Sequence, residues 1–303
     1  MTFDGSAEAN IRGLNVDKLV KGFGALIPTF KNYVLSGKTS AREMRWYRKG
    51  LSLATAMNAL DTPTTHGVTT SMMNNTAFKA RPFVVEQKWE RQTSHVKKYF
   101  VESPWIALED IKDNDVDVLG GNIKELVKAV LFKVDRRIYD VLTEAAVSGT
   151  PNPSHVNTTA ATAGWSTVAT CNPVLDLLNA KMEIGDGGYN AEGAFCLMTP
   201  LENKSLLNFL ISVKGSSIPS MATEKIKSGV VMELLGLKIV VSPNATNDWV
   251  VTFLKSAVTY KTFLPLTSAI LTDEGIGKKI RVWEEGEAIL TDPLSVHILS
   301  GAS

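Results

Sequence analysis

Asn122 to Ala146, NIKELVKAVLFKVDRRIYDVLTEAA, is the longest uninterrupted periodic segment in the chain. Ile123, Leu126, Val127, Val130, Leu131, Val134, Ile138, Val141, Leu142 and Ala145 recur at three- and four-residue steps, which puts them on one side of an α-helix. Lys124, Glu125, Lys128, Lys133, Asp135, Arg136 and Asp140 largely fill the other side. At roughly 1.5 Å per residue the helix would run about 36 Å, the width of a small domain. It reads as a spine on which other parts are mounted.

The rest of the chain is consistent with two packed cores. It has 303 residues, 44% hydrophobic and 21% charged, which is ordinary for a folded protein and not for a disordered one. No stretch reaches the roughly 18 uncharged apolar residues that cross a bilayer, and no membrane partner is expected. Lys and Arg total 32 against 31 for Asp and Glu, so there is no broad cationic field for gripping phosphate backbones. Cys171 and Cys196 have no CxxC partner, which points to neither a zinc site nor a disulfide framework.

Upstream of the spine, residues 1–65 read as an arm carrying nine basic against five acidic side chains, with a short helical segment expected over Ala41 to Ala59. From Ala77 to Leu108 the residues favour extended chain. Two apolar arms flank a polar middle, Glu86 to His95, as in a long hairpin with too little apolar surface to fold on its own core. Asp113, Asp115 and Asp117 have calcium-like spacing, but Val118 and Lys124 stand where an EF-hand needs Gly and Glu. Carboxylates there suit a helix entry instead.

Downstream, a Thr/Ser/Gly/Pro-rich loop from Ser148 to Asn172 leads to a second module. Asn172 and Pro173 supply an N-cap and an N1 proline for a helix through about Ile184 carrying Leu175, Leu178 and Met182. A strand at Ala194 to Met198, a helix opened by Pro200, paired strand segments around Gly236 and a strand at Trp249 to Leu254 complete an α/β or α+β module. Extended segments follow at Lys278 to Trp283, Ala288 to Leu290 and Val296 to Leu299, for which the spine is an available cover.

Nothing in this order of residues carries recognisable chemistry. His66, His95, His155 and His297 are scattered, and neither G-x-S-x-G nor H-E-x-x-H occurs. The dense acidic group Glu284, Glu285 and Glu287 is expected to be solvated or to bridge subunits, since neighbours on a strand point to opposite faces. No catalytic, cofactor-binding or metal-binding residue is assigned, and no cofactor is expected.

The order of parts nonetheless resembles the major capsid protein of tailed double-stranded DNA bacteriophages, whose shell fold is shared with encapsulins and the herpesvirus capsid floor. The stretches that carry the likeness are Asp113 to Leu142, Ser212 to Ser242 and Gly275 to Leu299. The resemblance implies an α+β fold: an N-terminal arm over 1–65, an extension loop (a long β-hairpin) over 66–108, a peripheral domain over 109–172 and 272–303 with the spine at about 122–146, and an axial α/β domain over 173–271. It implies a structural protein, not an enzyme, that assembles through hexamers and pentamers into an icosahedral shell around double-stranded DNA touched non-specifically. Its place is the virion, after assembly in the host cytoplasm. A scaffolding protein, a portal and a decoration protein are the further partners implied, with scaffolding supplied separately or removed by earlier processing. An encapsulin-like nanocompartment is the alternative. Lys88, Trp89, Glu90, Arg91, Glu284 and Glu285 are the expected assembly contacts. Some members cross-link a Lys to an Asn with help from a Glu on the peripheral strand. Glu284 roughly matches that acid, but Gly277, Lys278 and Lys279 stand ahead of the strand where an Asn would be needed, and the cross-link is not carried over. The basic residues Lys124, Lys128, Lys133, Arg136 and Arg137 are expected to look inward at DNA, and removal of residues 1–40 is expected to leave a folded chain that cannot close shells.

Overall fold

The computed structural model describes residues 20–24, 30–49, 89–107, 116–145, 151–212, 233–273 and 276–303. Contacts divide the chain into two compact units, one drawn from Met1–Met44, Ser94–Ile138 and Tyr260–Ala288, the other from Arg45–Thr93, Tyr139–Thr259 and Ile289–Ser303.

The spine is helix α1, Val116–Leu142, which begins six residues earlier than its periodicity implied and stops four residues sooner. Gly120 and Gly121 lie inside it, although each glycine costs a helix interior about 1 kcal/mol relative to alanine. Ile123, Val127, Val130, Leu131, Val134, Ile138 and Leu142 are buried, while Lys124, Lys128 and Lys133 are exposed. Asp135, expected on the polar side, is buried with them.

In the first unit the helix covers one face of a sheet. Strands β1 (Leu35–Lys38), β4 (Lys97–Glu102), β11 (Val258–Asp273) and β12 (Gly277–Leu290) run in the order β1-β11-β12-β4, and β5 (Ile106–Ala107) also pairs with β12. Alternate side chains separate the faces. Ile280, Val282, Tyr99, Val101, Leu266 and Ile270 pack with Ile123, Val127, Val130 and Leu131 of the helix. Across the antiparallel β12–β4 ladder the other parity aligns Arg281 with Glu102, Trp283 with Phe100 and Glu285 with Lys98.

The second unit is built on a six-stranded sheet in the order β6-β13-β10-β7-β9-β8, from β6 (Asn157–Ala160), β7 (Phe195–Met198), β8 (Glu233–Leu234), β9 (Leu237–Val241), β10 (Trp249–Phe253) and β13 (Val296–Ser300). Val296 to Leu299 belongs to this sheet. It is hydrogen-bonded to β10 and β6. The expected helices are α2 (Pro173–Asp186), whose Asn172 side chain accepts from the Leu175 N–H, and α3 (Pro200–Ser212). Leu177 of α2 and Leu206, Phe209 and Leu210 of α3 pack with Cys196, Met198, Val250 and Leu299 of the sheet. On α2 the buried positions are Pro173, Asp176, Leu177, Ala180 and Ile184, so Leu175, Leu178 and Met182 face outward.

Candidate assembly site

Strands β2 (Glu43–Lys49) and β3 (Trp89–His95) form a separate two-stranded ribbon. A helix was expected over Ala41 to Ala59, because its arginines and apolar residues also fit three- and four-residue steps. The strand follows a period of two: Met44, Trp46 and Arg48 are buried or half-buried and alternate with exposed Glu43, Arg45 and Tyr47. The polar middle read as a hairpin tip is strand as far as it is described, paired with β2, while Lys88 and the stretch from Ala77 to Gln87 lie outside the described residues. The Val96 N–H donates to the Arg42 carbonyl at one end and Arg48 pairs with Glu90 at the other, so the two strands run antiparallel.

One face of the ribbon is anchored. The Arg48 guanidinium donates to Glu90 at 2.6 Å, to Glu144 at 3.1 Å and to His155 Nε2 at 2.9 Å. Because arginine only donates, His155 Nε2 accepts, which leaves Nδ1–H to donate to Glu144 Oε1 at 2.8 Å. Glu144, just past α1 with φ 48, also accepts the backbone N–H groups of Ser154 and His155, each at 2.7 Å. Burial raises its pKa, but the His155 and Ser154 N–H groups and the His155 ring outweigh that and hold it below the usual carboxylate range. Ser154 Oγ also touches His155 Nδ1, at 2.7 Å. Serine and glutamate thus meet the same ring nitrogen and the other is taken by Arg48, so this is a lock and not a nucleophile relay. Trp46 adds an Nε1–H bond to the Leu290 carbonyl at 3.0 Å.

The ribbon's other face is open. Tyr47 and Trp89 are 62% and 53% exposed, and Arg45, Arg91, Thr93 and His95 are exposed on the same parity. Tryptophan, tyrosine and arginine are the side chains that most often dominate binding at interfaces. Of the expected contacts, Trp89 and Arg91 are on this face, while Glu90 is turned inward to Arg48.

The expected solvated acids are elsewhere. Glu285 is half-buried and 3.7 Å from Lys98, whereas Glu284 and Glu287 are fully buried in the first unit. Glu284 Oε1 pairs with Lys31 and accepts the Tyr260 hydroxyl at 3.0 Å. Glu287 accepts from Arg137 Nε at 2.9 Å. Asp135 accepts the Phe30 N–H at 2.9 Å. Burial pushes Asp135 up to about 7, with the Glu284 charge adding to it, and burial likewise pushes Tyr260 up. Gly286 is required here because a Cβ would overlap the Tyr260 hydroxyl. Arg137, expected to face DNA, is engaged with a buried acid instead. Asp135 was legible: it follows Leu131 by four and precedes Ile138 by three, the spacing of the apolar face. Lys31 and Tyr260 gave no local signal, since only strand pairing and packing bring them to Glu284.

Among the described residues no group of three or more His, Cys, Asp or Glu is placed to hold a metal ion, and no helix is long and apolar enough to cross a membrane.

A family model described as phage capsid protein matches residues 105–286, which include the spine, five of the six strands of the second unit's sheet and most of β12. The chain belongs to that family. Its members' shell-building role makes the open ribbon face and the outward α2 stripe the surfaces of interest. Comparison with curated proteins finds none that matches. Among solved structures, a virus-like particle from Pyrococcus furiosus has a TM-score of 0.61 at 10% identity, covering 95% of this chain and 99% of that one. The capsid of cyanophage P-SCSP1u has a TM-score of 0.61 at 15% identity, covering 91% and 88%. The structure from Mycobacterium phage Che8 has 0.55 at 16%, covering 93% and 92%. At these identities the likeness is one of fold, and that fold is the α+β fold of phage capsid subunits.

Proposed function

We propose that this structural capsid protein builds its shell through hexamers and pentamers that close an icosahedron around double-stranded DNA. The observation that carries the reading is the match to the phage capsid family over residues 105–286, which takes in the spine and all but the last strand of the six-stranded sheet. In this reading residues 1–65 are the arm, 66–108 the extension loop, 109–172 and 272–303 the peripheral domain, and 173–271 the axial domain. Trp89 and Arg91 of the ribbon, and with them Lys88 and Glu285, make contacts to a neighbouring subunit, while Glu90 holds Arg48 within this one. Glu284 acts inside the subunit by holding Lys31. The protein performs no catalysis. Its DNA contact is non-specific, as the near-neutral net charge of +1 suggests. A scaffolding protein, a portal and a decoration protein are its further partners, and assembly takes place in the host cytoplasm.

The Pyrococcus furiosus virus-like particle, similar over nearly the whole of both chains, favours one second reading, a shell that encloses protein. The two separate on contents. Particles purified after nuclease treatment should, during infection, hold protected double-stranded DNA of phage length. A stoichiometric protein cargo with no protected DNA would overturn the DNA-enclosing reading.

A further inference from the structure

We propose that the open face of the first unit's sheet is a docking site for a neutral polysaccharide, a flat chain of hexose rings. The spine packs on one face of this sheet through Tyr99, Val101, Ile280 and Val282. Side chains of the other parity stand on the opposite face. There the β12–β4 register sets Trp283 beside Phe100 and Arg281 beside Glu102, with Glu285 and Lys98 closing one end of the row. Trp105, just before β5, extends the row at the other end, where Lys279 Nζ lies 5.9 Å from its ring centre. Phe100 and Trp105 are 51% and 45% exposed. Charged and aromatic rungs thus alternate along the strand at steps of about 6.6 Å.

The rings are held in place by their neighbours. Lys98 Nζ stands 5.6 Å from the ring centres of both Phe100 and Trp283, and the Arg281 guanidinium 5.3 Å from that of Phe100. An exposed aromatic side chain that is already oriented loses little freedom when a ligand stacks on it.

Charge selects the occupant. The row has three cations against two carboxylates, and each cation is taken: Lys98 faces Glu285 at 3.7 Å, Arg281 Nε donates to Glu102 Oε1 at 2.6 Å, and Lys279 pairs with Glu102 Oε2. A phosphate chain or an anionic membrane would have to displace these carboxylates before any cation could grip it. A purely apolar partner would desolvate the charged rungs and return them no hydrogen bonds. A sugar ring suits both kinds of rung. Its C–H face stacks on an aromatic ring, and its hydroxyls, each a donor and an acceptor, meet the N–H groups and lone pairs that Arg281, Lys279 and Glu102 leave over.

The test is affinity electrophoresis of the full chain, as subunits and as particles, in native gels containing hydroxyethyl cellulose or galactomannan, with melting curves alongside. Retardation that persists as salt is raised is expected, since stacking and hydroxyl hydrogen bonds are not screened as contacts to phosphate are. Phe100→Leu with Trp105→Leu keeps apolar bulk but removes the ring faces, and should melt with the parent while binding at least tenfold more weakly. Phe100→Leu alone, at a half-exposed strand position, should already bind several-fold more weakly, so the outcome does not depend on the double variant's folding. Tyr47→Leu on the ribbon should bind as the parent does. Absence of retardation by both polymers would overturn the proposal, as would parental binding by Phe100→Leu and the double variant. Retardation only by single-stranded DNA, abolished by salt, would replace the sugar with a polyanion. Binding by subunits that is lost in particles would show that another copy covers the face, and would equally overturn it.

Discussion

The two sheets bury polar groups in different ways. In the second unit the two fully buried acids lie apart: Asp176 accepts from the Thr162 N–H and hydroxyl and from Trp165 Nε1, and Glu202 accepts from Thr199 and from the Asp248 N–H. In the first unit three carboxylates, Asp135, Glu284 and Glu287, share a region with two cations, Lys31 and Arg137. One oxygen each of Glu284 and Glu287 has no hydrogen-bond partner among the described residues. Isolated, satisfied acids fix loops and helix ends at little cost. In the cluster, burial raises Asp135 to about 7 and the Glu284 charge adds to it. The packing of the first unit thus depends on the residues around Phe30 and Lys31 staying in place.

The largest effect should come from breaking the apolar layer of the first unit. Val130→Asp puts an unpaired charge beneath the spine, a change of several kcal/mol, and should abolish soluble expression. The next concerns the N-terminal residues. The sequence suggested that removing residues 1–40 leaves a folded chain. The structure revises this, because the cut takes away β1 and Lys31 and strands Glu284 in the interior. Losing one partner of a buried pair costs roughly 3–5 kcal/mol, so that truncation should aggregate, and removal of residues 1–19 only should keep the subunit folded by circular dichroism.

A third prediction sets the two units against each other by pH. The Asp135 carboxyl is raised to about 7 from 3.8, so its burial costs nothing below pH 4, and the penalty grows as pH rises from about 4 to 7. His297 in β13 is lowered to about 4 from 6.5 by burial, so the second unit loses stability as pH falls from 6.5 to 4. Each term is on the order of 3 kcal/mol. Asp135→Asn keeps an acceptor for the Phe30 N–H and should raise the melting temperature at pH 8, whereas His297→Gln should flatten the acid limb. Equal melting profiles for parent and both variants would erase the distinction between the units. The smallest effect, about 1–2 kcal/mol, is expected from Arg48→Ala, which takes the guanidinium away from Glu144 and Glu90 and should speed hydrogen exchange in β2 and β3 without altering the melt of the six-stranded sheet.

What could be read without the structure follows the range of the interactions. The spine, the Asn172–Pro173 helix start and the strands around Gly236 are set by residues within a turn or two of one another, and each was found with small errors at its ends. β2 was misread because arginines spaced by three and an apolar residue between them satisfy a helical and an alternating pattern alike, and the choice is made by pairing with Trp89–His95, more than forty residues away. On α2 both the inner and outer sides are apolar, so the spacing of Leu175, Leu178 and Met182 marked the helix, while the side it buries is that of Leu177, Ala180 and Ile184. Glu284 and Glu287 read as surface acids because their neutralising cations, Lys31 and Arg137, are remote in the chain.

Electron microscopy of the purified chain, alone and with a candidate scaffolding protein, tests the central claim most directly. Closed shells or capsomers, with the six-stranded module clustered about the symmetry axes, are the predicted result. Monomers and dimers alone across assembly conditions would contradict it.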